Sequence, residues 1–361
     1  MAGSLDIKSD PFARLRAAMG SDGLACIDLM AAVQAYYKRF PRDERLAQAF
    51  KILLEDMLIP YDPVRPHGDD NRIEVRGLAV LGEAGAGKSR AVRQLLGGHA
   101  AFPGYGDRRS DCQAITVEVR APTTYLGLGY RIMAASGLPI KGKVEKHRIW
   151  ELVYERLQDK RIFVLHLNEL HNFFITANTT DRNDLLNTLK SLMSNPTWPV
   201  LVVVSGLPML RKILQGHDED RRRVAFVGFR SLRVPQANTT LAEIARELAA
   251  IAGLQCAGDF ATNIAPRLAH AGLHQWGTCI KIMHNAVRMS LERRPPSLDL
   301  ESFALAWAFM TGSAREANPF LARNWAALDC SIVLRENADP EESEEDTSKK
   351  NPGKRPRKDG R

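Results

Sequence analysis

The sequence predicts an α/β fold: a parallel sheet with helices on both faces, a helical segment before it and a helical unit after it. Three observations predict this. The stretch GEAGAGKS at 82–89 meets the phosphate-loop (P-loop) pattern G-x-x-x-x-G-K-[ST] at every position. Short apolar runs alternate with stretches of helical period from residue 77 to about 234. Beyond Pro235 the period is helical throughout. Strands separated by helices run parallel, because each crossover returns the chain in the same direction.

Along the chain, Phe12, Leu15, Met19, Cys26, Ile27, Leu29, Met30 and Val33 recur at helical spacing. So do Leu46, Phe50, Leu53, Leu54 and Met57, in a helix ending before Pro60. Residues 61–71, with Pro63, Pro66 and Gly68, read as a loop. Residues 77–81 (GLAVL) form a buried strand, and 90–96 a helix whose amino end faces the anion. Further strands are expected at 113–119, 161–167, 200–204 and 226–234, with helices at 124–136, 144–157 and 184–193. Four helices follow, at 241–252, 260–271, 275–291 and 302–311. The expected segments are a helical N-terminal part (1–70), a P-loop core (71–235), a helical unit (236–333) and a tail (334–361).

Each residue of the loop has a physical task. Its glycines allow backbone angles that turn consecutive N–H groups toward phosphate oxygens. The candidate nucleotide-binding residues are Gly82, Glu83, Ala84, Gly85, Ala86, Gly87, Lys88, Ser89 and Arg90. Lys88 reaches the β- and γ-phosphates of a nucleoside triphosphate, and the Ser89 hydroxyl ligates Mg²⁺. Phosphoryl chemistry also needs an acidic site at the end of a neighbouring strand. The strand IFVLHL ends in Asn168-Glu169, where four apolar residues are usually followed by Asp-Glu. Glu169 is the candidate that orients the attacking water; Asn168 can meet the metal through a water but brings no charge. That departure predicts slow hydrolysis, weak magnesium binding, or both. His166 reads as a core histidine, and Ser205 at the end of the fourth strand as a sensor of the γ-phosphate. One of Arg221, Arg222 and Arg223 is either an arginine finger supplied in trans or part of a surface loop with local ion pairs.

The 361 residues carry a net charge of +8. The tail holds eight acidic and seven basic residues from 336 to 361, so the body carries about +9, which suits a polyanionic partner. The tail's acidic and basic blocks cannot bury a core; the basic block touches DNA or a partner, or the tail only solubilises the chain. The longest apolar runs are too short to span a bilayer, and the N-terminus lacks a signal-peptide pattern. Five scattered cysteines show no C-x-x-C spacing, neither a disulfide framework nor a zinc site. A cytoplasmic protein without membrane partners is expected.

In order, the chain reads GEAGAGKS, FVLHLNELHNF, VLVVVSGLPMLRKIL, RRRVAFVGF and GLHQWGTCIKIMHNA, preceded by YYKRFPRDERLAQAFKILLEDMLIP. This combination resembles the AAA+ ATPases of DNA transposition known as TniB and TnsC, with MuB more distant. The resemblance covers roughly residues 35 to 290. It implies an AAA+ core with a helical lid and ATP and Mg²⁺ as cofactors. It also implies assembly as a ring or helical filament on double-stranded DNA, linking a target selector (TniQ/TnsD-like) to a transposase. In that family DNA-contacting loops line the inside of the oligomer, which makes Arg120, Thr124, Lys141 and Lys143 candidates; otherwise they are solvated surface groups. Two other readings stay open: a nucleotide-stabilised scaffold with little turnover, and another AAA+ DNA loader or signalling NTPase.

Overall fold

The computed structural model describes residues 10–62, 64–65, 74–107, 110–216, 223–293 and 296–334. The chain divides into two compact units. One comprises Tyr36–Arg233 with His274–Thr278; the other comprises the described parts of Met1–Ala35, Val234–Leu273 and Cys279–Arg361. The segment 1–70 therefore contributes to both. Residues 335–361, with the charged blocks of the tail, lie outside the described residues.

Helices α1 (Pro11–Ala18) and α2 (Gly20–Ala35) belong to the second of these units. The sheet-bearing unit then runs α3 (Pro41–Leu58), β1 (Gly77–Gly82), α4 (Lys88–Gly97), β2 (Ala114–Glu118), α5 (Tyr125–Ala135) and α6 (Lys146–Asp159). It continues with β3 (Val164–Asn168), α7 (His171–Thr176), α8 (Thr179–Met193), β4 (Leu201–Gly206), α9 (Leu210–Leu214) and β5 (Val224–Phe229).

The five strands are parallel in the order β2-β3-β4-β1-β5. Burial along the strands matches their places in this order. The inner strands GLAVLG, VLHLN and LVVVSG are buried at every position, as strands covered on both faces must be. The edge strands β2 and β5 have partly exposed positions. From β1 the chain crosses to the far edge, returns through β3 and β4, and then places β5 on the other side of β1. Ligands bind beside such a reversal, at the carboxyl ends of the strands.

Several boundaries differ from the sequence reading. β5 begins at Val224 and stops at Phe229, because β1 ends at Gly82, the partner of Phe229, and offers no further ladder. α8 begins at Thr179, since the Asn178 side chain caps it by accepting from the Asp181 N–H at 2.8 Å. The six-residue α7 was not expected; Phe173 and Phe174 bury its inner face.

The other unit adds α10 (Ala237–Ile251), β6 (Gln255–Cys256), α11 (Ala265–Ala271), α12 (Trp276–Leu291, beyond its first turn), β7 (Ser297–Leu298) and α13 (Leu300–Thr311). Its core gathers Phe260, Phe303, Trp307 and Phe320 in edge-on and tilted ring contacts of 5.4–6.5 Å. The two-residue parallel pair β6–β7 departs from the helical expectation there, and Phe260–Ile264 forms a π-helical turn ahead of α11. No helix among the described residues is long and apolar enough to cross a membrane.

Candidate functional site

The loop between β1 and α4 is shaped by its glycines and by what presses on it. Gly85 and Gly87 have φ of +74° and +92°, the left-handed region that side chains avoid. A Cβ on Gly85 would lie 2.0 Å from the Thr278 Oγ1. The Thr278 N–H donates to the Gly85 carbonyl at 3.1 Å, and Gly277 packs so closely that its own Cβ would lie 2.5 Å from that oxygen. The loop is thus clamped from 277–278, two residues the sequence reading did not single out. Gly87 caps α4 without any side-chain hydrogen bond. The first-turn N–H groups of a helix have no partner within it, so this end favours an anion.

Lys88 is buried, and its Nζ donates to the carbonyls of Gly82 and Glu83, both at 2.9 Å. Burial lowers its pKa, while Glu169 and Glu83 act in the opposite direction. Arg90 is exposed and donates to the Tyr36 carbonyl at 2.9 Å.

The adjacent strand ends converge on Asn168. Its Oδ1 accepts from the Ser89 hydroxyl at 2.8 Å and from the Ser205 hydroxyl at 2.6 Å, and its Nδ2 donates to the Glu118 Oε2 at 2.8 Å. These partners fix the direction of a longer chain. The single hydrogen of Ser205 goes to Asn168, so Ser205 accepts from the His166 Nε2 at 2.9 Å. The His166 Nδ1 then carries no hydrogen and accepts from Thr116 at 3.0 Å, which in turn accepts from the Tyr105 hydroxyl at 2.5 Å. His166 is fully buried, and burial, aided by Arg93, pushes its pKa down to about 3. It is a satisfied core histidine. Ser205 is also fully buried, its hydrogen committed to Asn168 rather than turned toward the loop.

Glu169 follows with φ of +57°, a conformation that costs a non-glycine residue about 1 kcal/mol or more. This strain carries its carboxylate to the loop: Oε1 lies 3.5 Å from the Ser89 Oγ, and Oε2 lies 3.1 Å from the His171 Nδ1, without hydrogen-bond geometry to it. Burial lowers the His171 pKa against the pull of Glu169, so the ring is neutral near pH 7. Ser89, Asn168 and Glu169 thus present three oxygens, the hard donor set that suits Mg²⁺ sharing its shell with phosphate and water.

Arg42, also missed in the sequence, lies beside the loop. Its guanidinium is stacked 4.8 Å from the Phe40 ring centroid and 4.7 Å from that of Phe229. Nη2 stands 3.3 Å from where a Cβ on Gly87 would be. It is 9% exposed, and Nε and Nη1 have no hydrogen-bond partner among the described residues.

The remaining candidates lie elsewhere. Arg223, at the amino end of β5 and so at the opposite end of the sheet from the loop, is ion-paired with Glu74. Arg221 and Arg222 fall outside the described residues. Arg120, Thr124, Lys141 and Lys143 are exposed. Thr124 caps α5 by accepting from the Gly127 N–H at 3.0 Å. The loop carrying both lysines is pinned by Tyr130, which donates to the Gly142 carbonyl at 2.9 Å and accepts from the Val144 N–H at 2.8 Å.

Residues 75–214 match the family described as AAA domain. The core is an AAA-type P-loop ATPase domain. Its five-stranded parallel sheet is an AAA+ fold. Cdc6p of Pyrobaculum aerophilum matches it at 14% identity over 81% of this chain and 76% of its own, with a TM-score of 0.52. The ORC1 protein of Aeropyrum pernix, solved in complex with DNA, matches at 15% identity over 80% and 70%, with a TM-score of 0.55. The ORC2 protein of the same organism, solved in ADPNP–ADP complexes, matches at 12% identity over 76% and 70%, with a TM-score of 0.50. No curated protein matches the sequence. At such identities the AAA+ fold is what these proteins share.

Proposed function

We propose that this AAA+ protein is an ATP-regulated DNA-binding adaptor of transposition, a relative of TniB and TnsC. It assembles as a ring or filament on duplex DNA and links a target selector to a transposase. The observation that carries the nucleotide part is the convergence of Lys88, Ser89, Asn168 and Glu169 at one end of the sheet. Lys88, held desolvated, supplies a concentrated positive charge to the β- and γ-phosphates of ATP. The α4 amino end and the N–H groups of 85–89 complete the cradle. Ser89, and Asn168 through a water, would hold Mg²⁺, which would supply charge neutralisation on the phosphate oxygens. Glu169 orients a water and takes its proton; its strained backbone keeps the carboxylate beside Ser89. Asn168 is neutral where a carboxylate is usual, so turnover is slow and assembly outlasts each hydrolytic event. An arginine from the run at 221–223 of a neighbouring subunit would reach the phosphate in trans.

For the DNA part, support comes from the basic excess of the body, the resemblance of the motifs, and the structural likeness to ORC1, which was solved on DNA. Size-exclusion chromatography or electron microscopy with ATP and duplex DNA tests the assembly. ATP-dependent oligomers on duplex are expected, and monomers throughout would overturn it. Asn168 also favours a second reading, a nucleotide-stabilised scaffold with little turnover. ATPase rates with and without DNA, for wild type and Glu169→Gln, separate the two. The adaptor reading expects slow, Glu169-dependent hydrolysis, whereas a variant as active as wild type removes Glu169 from its role.

A further inference from the structure

Asn168 looks like a lost charge only while β3 is considered alone. In the sheet it stands directly across from Glu118, the last residue of β2, in parallel register. The Glu118 Oε2 accepts from the Asn168 Nδ2 at 2.8 Å. The other end of the same amide accepts from Ser89 and Ser205. Because a carboxylate only accepts, the amide can face Glu118 with its nitrogen alone, and its oxygen must face Ser89. An aspartate at 168 would set an acceptor against an acceptor and a negative charge against a negative charge. Asn168 and Glu118 are therefore a matched pair.

We propose that Glu118 supplies the negative charge that this chain has moved off β3, acting on the magnesium end of the site through the Asn168 amide. Resting on the reading of this site as an Mg²⁺–ATP site, the inference makes Glu118 a positioning residue. Its carboxylate draws the Nδ2 hydrogen, which polarises the amide and leaves Oδ1 a stronger acceptor for the Ser89 hydroxyl. Hydrogen bonds in series strengthen one another in this way, and outer carboxylates tune metal ligands by the same means. It also holds the amide in the orientation that keeps its oxygen on the metal side.

The test is a charge swap. Binding of a fluorescent ATP analogue is titrated with Mg²⁺, and repeated in EDTA, for wild type, Glu118→Gln, Asn168→Asp and the double variant Glu118→Gln/Asn168→Asp. Unfolding midpoints are measured on the same four proteins without nucleotide. Glu118→Gln is expected to raise the Mg²⁺ concentration needed for half-maximal binding by about tenfold or more, with affinity in EDTA unchanged. Asn168→Asp alone is expected to lower the unfolding midpoint, since two carboxylates then face each other. The double variant restores one carboxylate and one amide in exchanged places, and is expected to recover both the midpoint and most of the Mg²⁺ dependence. A wild type that binds Mg²⁺–nucleotide, with Glu118→Gln responding to Mg²⁺ identically, overturns this inference and leaves the nucleotide site standing. A double variant no better than Glu118→Gln overturns it as well. A wild type that binds no nucleotide removes the site, and the inference with it.

Discussion

His166 sits between two hydroxyls with no place for a second proton. Protonating its Nδ1 would turn an acceptor into a donor and strip the Thr116 hydrogen of its partner. Its pKa in the folded chain, about 3, lies below the ordinary value of 6.5, so the unfolded chain binds the proton first as the pH falls. The stability that depends on a neutral ring is full above about 6.5 and is lost progressively down to about pH 3, at up to about 1.4 kcal/mol per unit. Denaturant unfolding of wild type and His166→Gln across this range checks it. The wild-type curve is expected to fall more steeply with acid, and parallel curves would refute the assignment. Arg42 makes the opposite kind of bet. A buried guanidinium with two unpartnered nitrogens weakens the fold unless an anion satisfies it. Arg42→Met is expected to hold or raise the unfolding midpoint without nucleotide while weakening ATP binding several-fold. A variant that is less stable yet binds ATP normally would make Arg42 a structural residue. Neither Arg42 nor Glu118 was legible in the sequence. Arg42 reaches the loop, and Glu118 reaches Asn168, from elements remote in the chain, and a charged residue in a helix or at a strand end reads as solvated until register is known. Lys88, Ser89, Asn168 and Glu169 were legible because one strand–turn–helix unit and one strand end carry them.

Elements were legible where a single pattern decided them. β1 and β4 are uninterrupted apolar runs, and α5 and α10 have clear helical period. What escaped was set by neighbours: β5 stops where β1 stops, and α7 forms because Phe173 and Phe174 must be buried after the turn at Glu169. Strand order was not legible either, since alternation implies a parallel sheet without saying which strands pair. Caps offer a test at this scale. Asp299 caps α13 by accepting from the Ser302 N–H at 3.0 Å, and it also receives Ser297, the Ser302 hydroxyl and Arg293. Burial raises its pKa, but these hydrogen bonds prevail and hold it at about 2, below the ordinary 3.8. A depressed carboxyl pKa adds stability above about pH 4 that is lost as pH falls through about 2. Asp299→Ala is expected to cost about 1 kcal/mol at neutral pH by losing the cap. Asp299→Asn keeps an acceptor, so it should cost less while losing the acid-dependent part. Equal losses for both variants would mean that the charge, and not the cap, is what α13 needs.

For the whole molecule, an excess of about +9 on the body means little unless some of it meets phosphate. On the proposed reading, ATP sets the oligomer, and the oligomer aligns one basic loop per subunit along the duplex. Lys141 and Lys143 suit this because Tyr130 pins their loop from both sides, so little order has to be imposed on binding. Arg120 suits it because the Thr123 hydroxyl holds its carbonyl, fixing the backbone beneath an exposed side chain. Contacts of this kind carry no sequence information but release counterions, at a slope of about −0.9 in log affinity against log salt per phosphate neutralised. Duplex binding with ATP should therefore weaken steeply with salt and tolerate changes of sequence. Alanine at Arg120, Lys141 or Lys143 should reduce that slope by about one per contact in each subunit, lower affinity evenly across sequences, and leave ATP binding untouched. Tyr130→Phe keeps both lysines but removes the oxygen that pins their loop, so it should weaken duplex binding while leaving the salt slope unchanged. Slopes that none of the three alanine variants moves would place the DNA on another face, and the basic excess would then have to be sought among other residues.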